Sequence, residues 1–266
     1  MKVGILGMGS IGTRHARNLI AMGHIVISHD PQFDWTEPRD KVIRDSDALI
    51  IATPTVQHYQ DLTDCLSEAK PVFVEKPIAA NKQEWEQLLL LDTGRLFVGY
   101  NLRFHPAVRR AKNRLEARQI GDPLYACFIL AQKSQKAAYL RDGVILNWSH
   151  ELDLARHLLG PCDVVWSVVR TDPDEIEADI HLVHHARIRS DVHLNYVTAP
   201  QARNFTIVGT EGWFTVNLHD DPNGFEQSYR DEMTAFLNAP VITGATGEDG
   251  LAVLKLCLDA KRCGGL

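Results

Sequence analysis

The chain has 266 residues, of which 45% are hydrophobic and 23% charged, and its formal net charge at pH 7 is −6. This composition is typical of a globular protein and excludes collagen, coiled coil and intrinsic disorder. The apolar runs fall short of the ~18 residues that cross a bilayer, and no run of Lys and Arg offers a surface for a phosphate backbone. We therefore expect a cytoplasmic protein with neither membrane nor nucleic acid as a partner.

The five cysteines are scattered along the sequence and never form a C-x-x-C pair. An odd number without paired spacing is typical neither of a disulfide framework nor of a thiolate zinc site. We expect reduced, structural cysteines at Cys65, Cys127, Cys162, Cys257 and Cys263.

The first thirty residues predict a β-α-β unit. An apolar strand at 2–6 meets the glycine-rich segment 7–12, and a helical pattern then runs to Gly23, where a second strand follows at 24–28. Three further strands are predicted at 48–52, 72–74 and 96–100, with helices between them.

The strand at 48–52 is uniformly apolar and too short for a helix, which is typical of a strand buried on both faces of a parallel sheet. Beyond residue 160 the segments are rich in β-branched and aromatic residues, which is typical of antiparallel strands. We predict two α/β domains, residues 1–119 with a parallel sheet and residues 120–266 with a mainly antiparallel sheet. The predicted strands of the second domain are 124–133, 164–170, 178–188, 192–197, 205–208 and 213–218.

A glycine triplet at Gly7, Gly9 and Gly12 lies between a predicted strand and a predicted helix, and Asp30 ends the second strand. Glycines let the backbone approach a pyrophosphate, whose charge the helix N-terminus stabilises. Asp30 can bind ribose hydroxyls and would repel a 2′-phosphate, and the next arginine is Arg39, so NAD is favoured over NADP. The predicted cofactor contacts of this segment are Gly7, Met8, Gly9, Ser10, Ile11, Gly12 and Asp30.

Polar residues follow two neighbouring predicted strands. Thr53 and Pro54 end one strand, with His58 soon after, and Glu75 and Lys76 end the next. Ligands bind at the carboxyl ends of strands in open α/β sheets, so these groups converge on the edge where a nicotinamide would lie. We predict all five as cofactor contacts.

Five motifs occur in one order along nearly the whole sequence. They are the glycine turn, Ala52-Thr53-Pro54 with His58, Val74-Glu75-Lys76-Pro77, Gly99-Tyr100-Asn101-Leu102-Arg103-Phe104-His105-Pro106, and His150-Glu151-Leu152-Asp153. In this combination the chain resembles the glucose-fructose oxidoreductase / inositol dehydrogenase / MocA (GFO/IDH/MocA) family.

The resemblance implies an N-terminal Rossmann domain and a C-terminal α/β domain with an open antiparallel sheet. It also implies hydride transfer between a nicotinamide cofactor and a hydroxyl-bearing carbon of a sugar, cyclitol or related polyol. Carried over residue by residue, Lys76 matches the active-site lysine of the family and His150 the histidine that faces it. A histidine near neutrality can take the hydroxyl proton, while the lysine stabilises the alkoxide.

One position departs from the family pattern. Asn147 stands where members of the family usually carry an aspartate, and an amide cannot take up a proton as a carboxylate does. Three alternatives follow. His150 works without an acidic helper, Asp142 or Asp153 takes the place of the missing aspartate, or catalysis is weak. The predicted substrate contacts are Asn147, Asp153, Arg103 and Tyr139, with Arg141 as a further candidate.

The connection between Asp30 and Asp47 is short. Sixteen residues stand there in place of the usual helix and strand. We expect an abbreviated wall on the adenine side of the cofactor.

Four histidines, His181, His184, His185 and His193, lie close together in sequence. On a strand, adjacent His184 and His185 would point to opposite faces, and neither an acidic residue nor a cysteine completes a ligand set, so we predict no metal site. The alternation instead suits a sheet with one face on helices and the other on a partner subunit, in a homodimer or homotetramer.

The leading hypothesis is an NAD-dependent oxidoreductase that acts on a carbohydrate-like substrate. Two alternatives stay open. One is a non-catalytic dinucleotide-binding sensor or assembly subunit, which Asn147 favours, and the other is a lyase or hydrolase that uses tightly bound NAD for transient oxidation.

Overall fold

The computed structural model describes residues 1–133, 137–172, 174–238 and 243–265, with the backbone alone for residues 137–141. Its strands are β1 (Lys2–Leu6), β2 (Ile25–His29), β3 (Ala48–Ile51), β4 (Val72–Glu75), β5 (Leu96–Gly99), β6 (Pro123–Ala131), β7 (Cys162–Thr171), β8 (Glu175–His184), β9 (Arg189–Asn195), β10 (Ala202–Gly209), β11 (Gly212–Asn217) and β12 (Ala245–Thr246). Its α-helices are α1 (Ser10–Ala21), α2 (Arg39–Asp45), α3 (Thr55–Leu66), α4 (Lys82–Leu88), α5 (Pro106–Glu116), α6 (Ala137–Asn147), α7 (His150–Leu159), α8 (Gly224–Leu237) and α9 (Gly247–Cys263).

The first of two compact units comprises Met1–Asn101 and Ser228–Ala252. Its six-stranded sheet has the order β12-β5-β4-β3-β1-β2, and β1 to β5 are parallel, as predicted. Only β12, at the edge, runs antiparallel to its neighbour β5. All four residues of β3 are buried, as expected for a strand covered on both faces.

The strand order places the candidate ligand edge of this unit. Strand β1 lies between β3 and β2, so the connections that leave β1 and β3 diverge on opposite sides of the sheet. Such a switch point opens a crevice beyond the carboxyl ends of the strands. The glycine turn, Asp30 and Thr53 all follow strands at this edge.

The second compact unit comprises Leu102–Gln227 and Val253–Leu266. Its sheet has the order β11-β10-β6-β9-β8-β7, and every neighbouring pair is antiparallel except β6 and β9. In β8, Ala178, Ile180 and Leu182 are buried and alternate with more exposed residues. One face is therefore in the core, which α6 and α7 help to cover.

Two helices and one boundary differ from the sequence-based expectation. The short connection between Asp30 and Asp47 contains α2, of seven residues. The sequence between the predicted strand at 124–133 and Ser149 predicts a loop, but this segment contains α6, which is interrupted at Gly143. The predicted boundary between residues 119 and 120 does not coincide with the division into compact units. Helix α5 groups with the second unit because it packs on α7 and β11, and the chain returns to the first unit after Gln227.

None of the helices in the described ranges is both long enough and apolar enough to span a bilayer.

Candidate functional site

The glycine turn between β1 and α1 has two glycines that the packing requires. Gly7 has φ +88°, and a Cβ atom there would lie 2.6 Å from the backbone oxygen of Ala52. A methyl group on Gly12 would collide with the carbonyl oxygen of Gly7. By contrast, no described atom lies within 4 Å of the Cβ position of Gly9. The turn therefore presents open backbone at Gly9, which suits the close approach of a ligand.

The first turn of α1 suits an anion. Its N-cap residue is Gly9, which supplies no side-chain cap, and the turn contains no acidic residue. Ser10 is exposed, Ile11 is half-buried and Met8 is buried. Since the first amides of a helix carry partial positive charge, the turn can receive a phosphate group.

Asp30 lies beside the glycine turn, as predicted. Its Oδ2 atom accepts a hydrogen bond from the backbone N–H of Met8 at 2.7 Å, and its Oδ1 atom accepts one from Gln32 at 2.9 Å. A carboxylate offers about four lone-pair positions, so two remain for the hydroxyl groups of a ribose.

His58 holds two loops together. Its Nδ1 atom lies 2.8 Å from the carbonyl oxygen of Pro77 and its Nε2 atom 2.9 Å from that of Thr53. The ring is buried, which lowers the pKa of His58, while the two backbone carbonyls oppose that shift. Both ring nitrogens face carbonyl oxygens of the protein, so His58 links the loops that carry Thr53 and Pro77. A direct contact of His58 with the cofactor stays a prediction.

Thr53 and Pro54 begin α3 at the ligand edge. The Thr53 hydroxyl donates to Asp61 Oδ2 at 2.7 Å, and the same carboxylate accepts from Arg39 Nη2 at 2.7 Å. Pro54 is the exposed N-cap residue. Arg39 of α2 is thereby tied to α3, which braces the short connection after β2.

Glu75 forms a buried pair with a residue that the sequence did not indicate. His15 Nε2 lies 2.7 Å from Glu75 Oε1, and the His15 side chain is fully buried. His15 Nδ1 has no hydrogen-bond partner among the described residues, and Nε2 is the ring atom that donates to Glu75. One oxygen of the Glu75 carboxylate is therefore engaged within the protein, and a contact of Glu75 with the cofactor stays a prediction. The Lys76 side chain is half-buried.

In the second unit, two predicted substrate contacts bind each other. Arg103 Nη2 lies 2.6 Å from Asp153 Oδ1, and Arg103 Nε lies 3.0 Å from Asp153 Oδ2. Both side chains are buried. Their charges thus compensate one another inside the unit.

The segment with Asn147 and His150 is held by Glu175. The Glu175 carboxylate accepts from the backbone N–H of Ile145 at 2.7 Å and pairs with Lys261 Nζ at 3.1 Å. Gly143, with φ +75°, lets this carboxylate approach, because a Cβ atom there would lie within 2.7 Å of it. Asn147 Nδ2 donates to the Gly143 carbonyl at 3.2 Å. Asn147 and His150 are both buried and stand within one turn of each other.

Two predicted or candidate contacts, Tyr139 and Arg141, have side chains outside the described part of the structure.

The clustered histidines of the second sheet pair with other groups. His181 Nδ1 lies 2.6 Å from Asp191, and His193 Nδ1 lies 2.7 Å from Asp179. His184 is buried on the opposite face, and β8 ends there, so His185 lies in the turn. Within the described residues, no three His, Cys, Asp or Glu side chains form a group that would hold a metal ion.

None of the five cysteines, all of which lie in the described residues, forms a disulfide, and three of them are buried. Burial raises the pKa of both the Cys65 and the Cys162 thiol to about 12. Neither is therefore a nucleophile near neutral pH.

Sequence reasoning missed His15, Glu175 and Lys261. A buried histidine on the inner face of α1 leaves a weak signal in the helical pattern, whereas nothing in the sequence near Glu175 indicates its contact with Ile145, thirty residues away.

Two family models match this chain. A model of an oxidoreductase family with an NAD-binding Rossmann fold, GFO_IDH_MocA, matches residues 25–94, and a model of the GFO/IDH/MocA C-terminal domain matches residues 108–215. Together they cover more than half of the chain.

Curated relatives carry the names of inositol dehydrogenases. The scyllo-inositol 2-dehydrogenase (NAD(+)) of Bacillus subtilis is 31% identical over 185 residues, which is 60% of this chain and 54% of the relative. Inositol 2-dehydrogenase 1 of Saccharopolyspora erythraea is 26% identical, with 99% of this chain and 95% of the relative covered. In the first relatives, this chain spans about half of their length.

Solved structures share the fold. A myo-inositol dehydrogenase from Corynebacterium glutamicum superposes with a TM-score of 0.87 at 17% identity, covering 98% of this chain and 97% of the other. A second structure is a scyllo-inositol dehydrogenase from Lactobacillus casei, solved with NAD(H) and scyllo-inositol. It has a TM-score of 0.84 at 22% identity, and the match covers 99% of this chain and 96% of the other. Because both family models match in order and over most of the chain, the protein belongs to the GFO/IDH/MocA oxidoreductase family.

Proposed function

We propose that this protein is an NAD-dependent oxidoreductase that transfers hydride between nicotinamide and a hydroxyl-bearing carbon of a cyclitol or related sugar. The observation that carries the proposal is the glycine turn with open backbone at Gly9 and the Asp30 carboxylate beside it. The names of the relatives, which are inositol dehydrogenases, support a cyclitol within the wider class of polyol substrates.

The environment of Asp30 supports NAD over NADP. A 2′-phosphate would meet the Asp30 carboxylate, and the nearest following arginine, Arg39, is paired with Asp61 and Asp64 at 2.7 Å each. Its charge is therefore already compensated. A cofactor without the extra phosphate fits these residues better.

We assign catalytic roles to Lys76 and His150. Bound NAD would supply the hydride acceptor. As the carbon loses hydride, His150 would take the proton from the substrate hydroxyl, and the Lys76 ammonium would stabilise the negative charge that develops on that oxygen. Asn147 and Tyr139 are proposed substrate contacts, while Arg103 and Asp153 would act by positioning the start of α7.

A second candidate function is dinucleotide binding without turnover. Asn147 favours it, because its amide donates to the Gly143 carbonyl and cannot exchange a proton with His150. In that case the chain would bind NAD and leave every polyol unchanged.

We also propose that the open sheet face of the second unit contacts another copy of the chain, as a homodimer or homotetramer. Val165, Trp166 and Val168 of β7 are about half exposed or more. Contiguous exposed apolar residues are typical of interaction surfaces. Replacing Val168 by Glu should lower the mass measured by light scattering, and an unchanged mass would argue against this face. A cytoplasmic location is proposed with it, supported by cysteines that form no disulfide.

The first experiment follows nicotinamide absorbance with NAD and a panel of inositols, aldoses, uronic acids and nucleotide sugars. The wild type is compared with Lys76→Ala and His150→Ala, and circular dichroism monitors folding. We expect turnover of a polyol that both substitutions abolish, with NAD binding retained in His150→Ala. Tight NAD binding without turnover on any substrate would instead support the second candidate.

A further inference from the structure

Two exposed aromatic side chains lie in the connection after Asp30. Trp35 is 66% exposed and Phe33 is 38% exposed, and their ring centroids are 5.3 Å apart with an interplanar angle of 31°. Large aromatic side chains that remain in water are unusual, since burial of their rings is favourable. The pair therefore offers an apolar surface that a flat ring can cover.

The connection that carries these rings is anchored to Asp30. The Thr36 hydroxyl lies 3.0 Å from the Asp30 carbonyl and 2.9 Å from the Phe33 carbonyl. The backbone N–H of Phe33 also donates to the Asp30 carbonyl at 3.1 Å. The rings thus belong to a loop that hydrogen bonds fix to the end of β2, directly after Asp30, whose carboxylate is the proposed ribose contact.

The rest of the crevice wall is braced around this loop. Loops that follow β2 and β3 flank the glycine turn, because β1 lies between these strands. The pairing of Arg39 with Asp61 ties the first of these loops to α3. On α3, Val56 is 67% exposed in the first turn. Exposed apolar side chains therefore occur on the loop after β2 and in the first turn of α3, on the two sides of the glycine turn.

We propose that Trp35, supported by Phe33, is a stacking platform for the purine ring of the bound dinucleotide. The proposal rests on the proposed function, because it needs a dinucleotide whose ribose lies at Asp30. A flat apolar ring on the loop that directly follows a ribose-binding carboxylate matches the chemistry of an adenosine, and base stacking on an aromatic side chain contributes substantially to affinity. The platform takes the place of the longer adenine-side wall that the short connection lacks.

The test compares Trp35→Ala and Trp35→Phe with Leu90→Ala. Leu90 is a matched control, because it is an apolar side chain of the same unit with 84% exposure. Isothermal titration uses NAD, ADP-ribose and AMP as probes. We expect Trp35→Ala to raise the Kd of ADP-ribose and NAD about 10-fold, Trp35→Phe to restore most of the affinity, and Leu90→Ala to leave it unchanged. In the activity assay, KM for NAD should rise while kcat stays constant, since stacking adds uniform binding.

An unchanged Kd for ADP-ribose in Trp35→Ala would overturn the platform while leaving the proposed function intact. A change in oligomeric mass with unchanged Kd would overturn it in favour of a second copy as the covering partner. A third outcome separates the two proposals. If AMP quenches tryptophan fluorescence in the wild type but not in Trp35→Phe, and NAD supports no turnover, the platform stands and the oxidoreductase function falls.

Discussion

Arg103 and Asp153 form a buried ion pair that joins the turn after β5 to the first part of α7. Arg103 Nη2 lies 2.6 Å from Asp153 Oδ1, and the two side chains are 8% and 1% exposed. Both residues are candidates for substrate binding on sequence grounds. Since each is the other's counter-ion, their shared effect is to hold α7, which begins at His150.

We expect Asp153→Asn to destabilise the protein by about 3 to 5 kcal/mol, because it removes the buried carboxylate charge with which the Arg103 guanidinium pairs. Urea unfolding followed by circular dichroism measures this loss. The double variant Arg103→Met with Asp153→Leu should recover most of the stability. A loss below about 0.5 kcal/mol in the single variant would contradict a structural ion pair.

Gly9 and Gly12 should respond differently to alanine. The methyl group of Gly9→Ala would enter open space, and the backbone of Gly9 has an ordinary φ of −64°, so the stability of the protein should change by less than about 0.5 kcal/mol. The NAD affinity should nevertheless fall, because the methyl group occupies the ligand side of the turn. Gly12→Ala should lose about 2 kcal/mol or more through the collision with the Gly7 carbonyl. Thermal unfolding and NAD titration of both variants separate the two effects. Full NAD affinity in Gly9→Ala would argue against the cofactor site.

We expect the free energy of unfolding to depend on pH through His184. Burial lowers the pKa of His184 below its ordinary value of 6.5, and its Nδ1 atom lies 2.8 Å from the Gly160 carbonyl. The unfolded chain takes up a proton on this ring below about pH 6.5, while the folded protein resists it. The stability that the neutral ring confers is therefore complete above pH 6.5 and decreases as the pH falls toward the lowered pKa.

His184→Asn removes this titration and keeps an N–H donor for Gly160. The free energy of unfolding, measured at neutral and mildly acidic pH, should fall less steeply with acidity in the variant than in the wild type. Equal slopes would show that His184 does not contribute.

Glu175 should matter for both stability and catalysis. Glu175→Ala leaves the Ile145 N–H and Lys261 without their partner, so we expect a loss of about 2 to 3 kcal/mol. Glu175→Gln keeps an acceptor for Ile145 and should lose about half as much. If His150 is the base, kcat should fall in Glu175→Ala more than KM rises, and Glu175→Gln should restore part of kcat. An unchanged kcat in a folded Glu175→Ala variant would show that this contact does not position His150.

The local parts of the fold could be predicted from sequence. Asn81 followed by Glu84 three residues later predicts a helix cap, and the Asn81 side chain accepts from the backbone N–H of Glu84 at 3.0 Å. The sequence Thr210-Glu211-Gly212 predicts a hairpin turn, and β10 and β11 pair as a hairpin across it. Both depend on neighbouring residues, whose hydrogen bonds and spacing are visible in the sequence.

Residues that meet from far apart could not be predicted in the same way. His15 and Glu75 are separated by 60 positions, and Arg103 and Asp153 by 50. Several of these residues were expected to face ligands, because a polar residue after a strand carries the same sequence signal whether it binds a ligand or another side chain.

The parallel sheet, the glycine turn and the position of Asp30 after the second strand are all visible in the sequence, because hydrophobic periodicity and glycine placement act over short distances along the chain. Long-range packing is what pairs β6 in parallel with β9 and brings the carboxylates of Glu75, Asp153 and Glu175 to His15, Arg103 and Lys261. A buried charge must find a partner, and only the packing of distant elements determines which side chain that partner is.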